Sequence, residues 1–544
     1  MSSTKSVTLT FTPDEVGDQK LWQERLAEKA EVSLEDLPEP VLLKKTLDAR
    51  RGRVRFHLTF ATKEADAIPE VINPFATSSK ATQPQQVVIV GTGPAGLFCA
   101  LELRRLGIRS HILERGKRVQ PRRKDLKGLN QHGIIDPESN YCFGEGGAGT
   151  YSDGKLYTRA TKRGDIRSVL ETLVFFGAPD RILTDARPHI GSNKLPKVIS
   201  AIREELLEND VTFSFETRWT GFDTSGNKID GARFVRSKDA DPTNLDESAA
   251  KTTAGDLKAD ALVLATGHSA RDVYQILDDK NVLLETKPFA LGVRIEHPQK
   301  VINQIQYGRS AGHPALPSAA YSIKTQVDDH AVFSFCMCPG GFIVPAATEI
   351  DGLVVNGMSL SKRDSPFANS GLVVEITLDD IKAAGFQGAH AGVHFQNAVE
   401  QAGFSAGERG LKAPASRVTD FIRNKTSSSL PETSYRPGLV ATDLREVLNT
   451  TGIPIAEKLA SAMKDFDHKL RGYLHPDAVF IGVESRTSAP VRVPRDTDSL
   501  MSPSVDGLFP AGEGAGYAGG IMSAALDGMR VARKVAEYLG VPNS

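Results

Sequence analysis

The spacing of apolar and polar positions divides the chain into short, separately legible elements. VTLTF (7–11) alternates apolar with polar residues and predicts a half-buried strand, QKLWQERLAEKA (19–30) has helical spacing, and RVRFHLTFA (53–61) alternates again. Together they predict a small α+β unit near the N-terminus. From Ala61 to Gln86 the chain turns polar, with Pro and Ser, as a linker would. QVVIV (86–90) is continuously apolar and β-branched, which suits a strand buried on both faces. The pattern predicts a helix next, then a second strand, IRSHIL (108–113). Val211 to Arg236 reads as a β-meander containing the strand GARFVR, Lys238 to Lys258 as a polar surface excursion within it, and ADALVLATG (259–267) as another buried strand. Thr286 to Tyr473 mixes strands and helices, and a last helix is expected over Ile521 to Leu539. No repeat of solenoid or propeller period is visible.

Composition narrows this picture. The chain has 544 residues, enough for several cores, and 40% of them are hydrophobic, which excludes a mainly disordered chain. With 66 Lys and Arg against 67 Asp and Glu, the balance argues against a general nucleic-acid coat. No apolar run reaches the roughly 18 residues of a membrane span, and MSSTKSVTLTF lacks the pattern of a signal peptide. Four cysteines provide neither a disulfide framework nor a CxxC pair for zinc, so no metal is expected and a cytoplasmic, reducing location is. The informative excess is glycine, 48 residues, many of them clustered.

The first cluster is VVIV-Gly91-Thr-Gly93-Pro94-Ala95-Gly96, between a buried strand and a helix that Gly107 stops; the next strand ends at Glu114. In a dinucleotide site Gly91 permits the tight turn, Gly93 lets backbone approach a pyrophosphate, and Gly96 lets helix and strand pack closely. The helix N-terminus favours phosphate, and a carboxylate at Glu114 can accept ribose hydroxyls. Two further turns follow strands, Ala265-Thr266-Gly267 and Gly512-Glu513, and the latter runs on to Gly519-Gly520-Ile521 at a helix start. A fourth cluster, Gly144 to Lys155, contains Gly147, Ala148, Gly149, Thr150 and Ser152 and suits backbone lying flat against a ring system.

These three parts, over about 85–285 and 480–544, resemble the fingerprint of two-dinucleotide-binding flavoproteins of the glutathione-reductase-like superfamily. FGEGGAGTYSDGKL, FSFCMCPGGFIVPAATE, ESRTSAPVRVPRD and AGEGAGYAGGIMSAALDG together look like a group of bacterial and plastid FAD-dependent dehydrogenases, across nearly the whole chain. Geranylgeranyl reductases and the tRNA-uridine-modifying flavoprotein are similar at a greater distance. The resemblance implies FAD, a ribityl contact at Glu513 where the family carries aspartate, Gly520 beneath the flavin pyrimidine, and the glycine loop passing the ring. It implies cofactor contacts at Arg115 as well, but no substrate.

No second GxGxxG follows, so reduction would come from the substrate, from transient NAD(P)H docking or from a redox partner. Cys336-Met337-Cys338 would place both thiols on one strand face, with Cys338 on the wall of a substrate cleft, or else simply pack as small core residues. Cys99 is expected in the core. His268, Arg271, Arg486 and Lys155 are candidate cations near the flavin or a substrate carboxylate; the bland alternatives are interface salt bridges for Arg486 and a solvated loop for His268. The basic run RGKRVQPRRK (115–124) is read as a solvated loop in preference to a tRNA-binding patch.

The expected architecture is α/β: an N-terminal ferredoxin-like α+β domain with linker (1–82), a Rossmann-like FAD-binding domain in two segments (83–285 and 480–544), and an inserted α+β domain (286–479). The expected function is an FAD-dependent oxidoreductase moving a hydride between flavin N5 and a small organic substrate. The alternatives are a flavin monooxygenase and a non-catalytic, tRNA- or partner-binding flavoprotein. No membrane partner is expected.

Overall fold

The computed structural model describes residues 6–37, 39–50, 53–61, 86–158, 164–237 and 254–541. The linker expected up to Gln86 and most of the polar excursion lie outside these residues. The excursion's last residues, Ala254–Lys258, instead form the third strand of the meander, paired with Lys228–Arg236, which itself pairs with Thr217–Ser225.

A five-stranded sheet carries the glycine motifs. Its order is Leu508–Pro510, Ala261–Leu264, Gln86–Val90, Arg109–Leu113 and Thr212–Ser214, and every pair is parallel. Val87 to Ile89 are fully buried because helices cover the sheet, among them Pro94–Arg105 and Ile521–Tyr538. The last strand joins the sheet edge beside Ala261–Leu264, so the C-terminal segment completes a sheet begun more than 400 residues earlier in the chain. All three glycine turns therefore leave the carboxyl ends of neighbouring parallel strands, where open α/β sheets bind ligands.

A seven-stranded sheet faces this unit, in the order Lys324–Val327, His330–Cys338, Phe367–Ile376, Phe289–Pro298, Val479–Glu484, Ala413–Arg417 and Leu439–Ala441. It is antiparallel except for its last pair. Helices Ala391–Ala406 and Ile455–Lys469 contribute to its core. Val479–Glu484 belongs to this sheet, between Phe289–Pro298 and Ala413–Arg417, so the return to the parallel sheet comes after Glu484 rather than at residue 480.

The N-terminal unit holds three strands, Ser6–Phe11, Leu42–Asp48 and Arg55–Ala61, and one helix, Gln19–Ala30. The strand order has Arg55–Ala61 in the middle. Among the described residues this is a β-α-β-β unit, without the second helix and fourth strand of a ferredoxin-like domain. Leu42–Asp48, LLKKTLD, lacks clean alternation, which hid it in the sequence.

The basic run is not simply a solvated loop: from Val119 it is helical, and although Arg123 and Lys124 are exposed, other charges in it point inward or are paired. Arg122, on helix Val119–His132, is fully buried and donates to the carbonyls of Asn140, Tyr141, Glu145 and Gly147. Arg115 pairs with Glu138 and Asp272, and Lys117 with Asp125 and Asp136.

Candidate functional site

The carboxyl ends of the parallel strands and the edge of the seven-stranded sheet enclose one cavity of about 420 Å³, within the usual range for a ligand site. One wall is mostly backbone. Gly91 passes so near the neighbouring strand that a Cβ would lie 2.5 Å from the Ala265 carbonyl oxygen, and at Gly96 a Cβ would lie 2.0 Å from that of Gly91. These two glycines hold the turn and helix together. Gly93, Gly267, Gly519 and Gly520, which line the cavity, behave differently: a Cβ on any of them would meet nothing within 4 Å. Gly520 caps helix Ile521–Tyr538 at φ +117°, a conformation that side-chain-bearing residues rarely adopt.

The turn at Glu513 is set by a buried pair. Arg495 grips Asp527 at 2.6 and 3.0 Å, and Asp527 accepts from the Gly512 backbone N–H at 2.8 Å. Burial pushes the Glu513 carboxyl up to about 7, opposed by a backbone hydrogen bond from Gly520 and by Lys287. His268 Nε2 lies 3.8 Å from Glu513. Its Nδ1 is buried with no hydrogen-bond partner among the described residues, and burial, followed by Arg486 and Arg271, drives the imidazole down to about 3.

The opposite wall is charged. Arg294, fully buried in Phe289–Pro298, donates from Nε to Glu484 Oε2 at 2.9 Å. Glu484 lines the cavity at 2% exposure, and its Oε1 accepts no hydrogen bond among the described residues. Burial pushes this carboxyl up to about 7 although Arg294 and Lys155 pull it down. Lys155 Nζ sits 3.1 Å from Asp153, which Arg363 grips from the other side at 2.5 and 3.0 Å. Cys336 and Phe335 complete this wall.

Residues 288–487 match the family described as FAD-dependent protein, C-terminal domain-like, and residues 84–131 match the FAD binding domain family. An uncharacterized protein of Clostridium beijerinckii is 38% identical, the alignment covering 96% of this chain and 97% of that one. The chain belongs to this FAD-dependent protein family.

Among solved structures, the flavoprotein is similar to a flavoprotein/dehydrogenase from Cytophaga hutchinsonii (10% identity, 84% of this chain, 80% of that chain, TM-score 0.36). It is also similar to the FAD-complexed glycerol-3-phosphate dehydrogenase of Bacillus halodurans (10%, 86%, 67%, TM-score 0.35). A third is a geranylgeranyl bacteriochlorophyll reductase-like protein of Thermoplasma acidophilum (12%, 84%, 79%, TM-score 0.34).

The residues present fit FAD. The open Cβ directions of Gly93, Gly267, Gly519 and Gly520 form a cradle that side chains would fill, and the orphaned His268 nitrogen faces an environment that lacks one polar partner. Gly91, Gly93, Pro94, Ala95, Glu114, Arg115, Gly147, Ala148, Gly149, Ser152, Ala265, Thr266, Gly267, Glu513, Gly519, Gly520 and Ile521 all line the cavity. Gly96, Gly512 and Thr150 do not. Gly96 and Gly512 are packing positions, and Thr150 is buried with its hydroxyl turned to the Glu145 carbonyl. Glu114 has a fuller role than ribose acceptor: its two oxygens already accept from Thr92 N and Oγ1, Gly116 N and Gly144 N, tying three loops together.

The four expected cations separate. Lys155 lines the cavity, and His268 lines it as a neutral imidazole. Arg271 does not reach it. Arg271 and Arg486 converge instead on Glu400 of helix Ala391–Ala406, Arg271 at 2.8 and 2.9 Å and Arg486 at 2.9 and 3.3 Å. Arg486 lines the cavity but also donates to Thr348 and Glu349, so its guanidinium is already committed to the interface between the two sheets. Cys338 is fully buried behind the wall, and Cys336 is the thiol on it. Glu400, Glu484, Arg294 and Asp527 escaped the sequence reading. For Arg294 the available signal was a charge within the apolar strand LGVRIEHP, because a buried charge requires a partner.

Proposed function

We propose that the protein is an FAD-dependent oxidoreductase that moves a hydride between flavin N5 and an organic substrate held between the glycine wall and the seven-stranded sheet. The observation that carries this reading is the free Oε1 of Glu484, buried in the same cavity as the open backbone of Gly93 and Gly520. Bound FAD supplies the two-electron chemistry; the chain supplies position, charge and a proton. Backbone at Gly91 to Ala95 and the helix N-terminus would hold the pyrophosphate, Glu513 the ribityl chain, and Gly519 to Ile521 the pyrimidine end. Glu484, at about 7, holds or releases a proton at Oε1 near neutral pH, as a substrate that gains or loses a hydride at a polar carbon requires. Arg294 keeps that carboxyl in place from Oε2. Transient NADH or NADPH docking is the proposed electron source.

Chromatography of the acid-released cofactor is expected to identify FAD, and recovery of NAD alone would sink the reading. Anaerobic stopped-flow mixing with NADH and NADPH is expected to bleach the flavin. Gly520→Val is expected to fold but to lose most of its flavin, since the new side chain would occupy the ring's place; full occupancy would remove Gly520 from the site.

A further inference from the structure

Two thiols, Cys336 on the charged wall and Cys338 buried behind it, have no part in hydride transfer. In a regular strand, Cys336 and Cys338 would point to one face with α-carbons roughly 6.6 Å apart. Here the strand is broken. Cys336 has φ +48°, and pairing with Phe367–Ile376 skips from Phe335 to Cys338. A left-handed residue other than glycine costs on the order of 1 kcal/mol and persists only where its surroundings impose it. The surroundings are explicit: both terminal nitrogens of Arg294 donate to the Cys336 carbonyl at 3.3 Å, and the Cys338 thiol donates to the same oxygen at 3.3 Å. The Cys338 sulfur thus lies against the backbone of Cys336, while the Cys336 side chain is exposed to the cavity. Lys155 Nζ, anchored by Asp153, is within reach of both, 3.9 Å from the Cys336 sulfur and 3.5 Å from the Cys338 sulfur.

We propose that Cys336 and Cys338 are a reversible dithiol–disulfide couple, built into the wall of the cofactor cavity, that exchanges two electrons with the flavin. The proposal rests on the FAD reading above. Oxidation forms one S–S bond and releases two thiol protons and two electrons, which pass to oxidised FAD; in reverse, reduced FAD returns two electrons and the opened sulfurs take up two protons. Lys155 is a positioning residue: its ammonium stabilises charge on whichever sulfur is thiolate as the bond opens or closes. Burial pushes the Cys338 thiol up to about 11, while Cys336 is the thiol that faces the cavity. Cys99, fully buried on helix Pro94–Arg105, serves as the control.

The test is an anaerobic dithionite titration of the oxidised holoprotein, with intact-mass measurement after alkylation in denaturant. The couple predicts four electrons consumed per flavin, two for FAD and two for the disulfide. It also predicts that Cys336 and Cys338 resist alkylation until dithionite is added. Cys336→Ser and Cys338→Ser should each consume only two electrons per flavin, and Cys99→Ala should behave as the parent. In the reduced protein, Lys155→Met should slow alkylation of Cys336 by about tenfold or more through loss of thiolate stabilisation. Two electrons per flavin in the parent, with all four thiols alkylated even after diamide treatment, would overturn the couple. If the protein carries no flavin, the FAD reading fails instead, and diamide-dependent protection of Cys336 and Cys338 still decides the couple.

Discussion

Two buried carboxylates, each against arginine, have opposite fates. Glu400 lies in the latch between the two large sheets, where Arg271 and Arg486 both donate to it and Ser485 adds a hydrogen bond at 2.6 Å. Burial alone would raise its pKa, but the two guanidiniums bring it down to about 2. Glu484, on the cavity floor, has one arginine on one oxygen, and burial wins at about 7. Depth is similar, 1% and 2% exposure, so the number of guanidiniums that donate to the carboxylate decides. A carboxylate with every acceptor filled becomes structure, whereas one with an oxygen left open can exchange a proton. The same count explains why Arg271 and Arg486, expected at the flavin, are unavailable for substrate.

The largest test breaks the latch. Glu400→Gln leaves two buried guanidiniums facing a neutral amide and is expected to cost about 3–5 kcal/mol of stability at pH 7, read from the denaturant midpoint. A loss below about 1 kcal/mol would make the latch dispensable and undo the comparison.

The next test uses opposite pH signs. Glu400 is depressed from 4.5 to about 2, so the stability it contributes is fully present above pH 4.5 and is lost as pH falls through about 2. Glu484 is raised from 4.5 to about 7, so its contribution is fully present below pH 4.5 and is lost as pH rises through about 7. At about 1.4 kcal/mol per unit, each swing is of order 3 kcal/mol. Denaturant midpoints across pH should show a shallower upper slope in Glu484→Gln, the remainder belonging to Glu513, which burial also pushes up to about 7, and a shallower acid limb in Glu400→Gln. An unchanged upper slope in Glu484→Gln would mean that its carboxyl is not the group titrating there.

A smaller effect should separate geometry from charge. Arg271→Lys keeps the cation at Glu400 but loses the two-pronged contact, and is expected to cost about 1–2 kcal/mol with the acid limb retained.

The two walls of the cavity were unequally legible. The glycine wall could be read residue by residue because each requirement is local: a buried strand, a turn that tolerates no Cβ at Gly91, a helix start behind Gly93. Even there, side-chain detail was hidden, since Thr150 turns inward and Glu114 is spent on loop amides. On the charged wall, alternation along FSFCMC predicted both thiols on one face, and the bulge at Cys336 separated them into one exposed and one buried. In the basic run 115–124, the charge pattern could not reveal that Arg122 is buried among four carbonyls.

By itself the sequence determined four of the five strands of the parallel sheet, the three turns at its carboxyl edge and the type of cofactor, because backbone geometry within a strand–turn–helix is dictated by residues a few positions apart. Thr212–Ser214, which reads as the start of the meander, joined the parallel sheet only through packing beside Arg109–Leu113. Tertiary structure alone decided which charges are silent and which are open. Arg294 meets Glu484 across 190 positions, and Arg271 meets Glu400 across 129. A carboxyl's protonation depends on the burial and the partners that such long-range packing brings to it, and neither is written in its immediate neighbours.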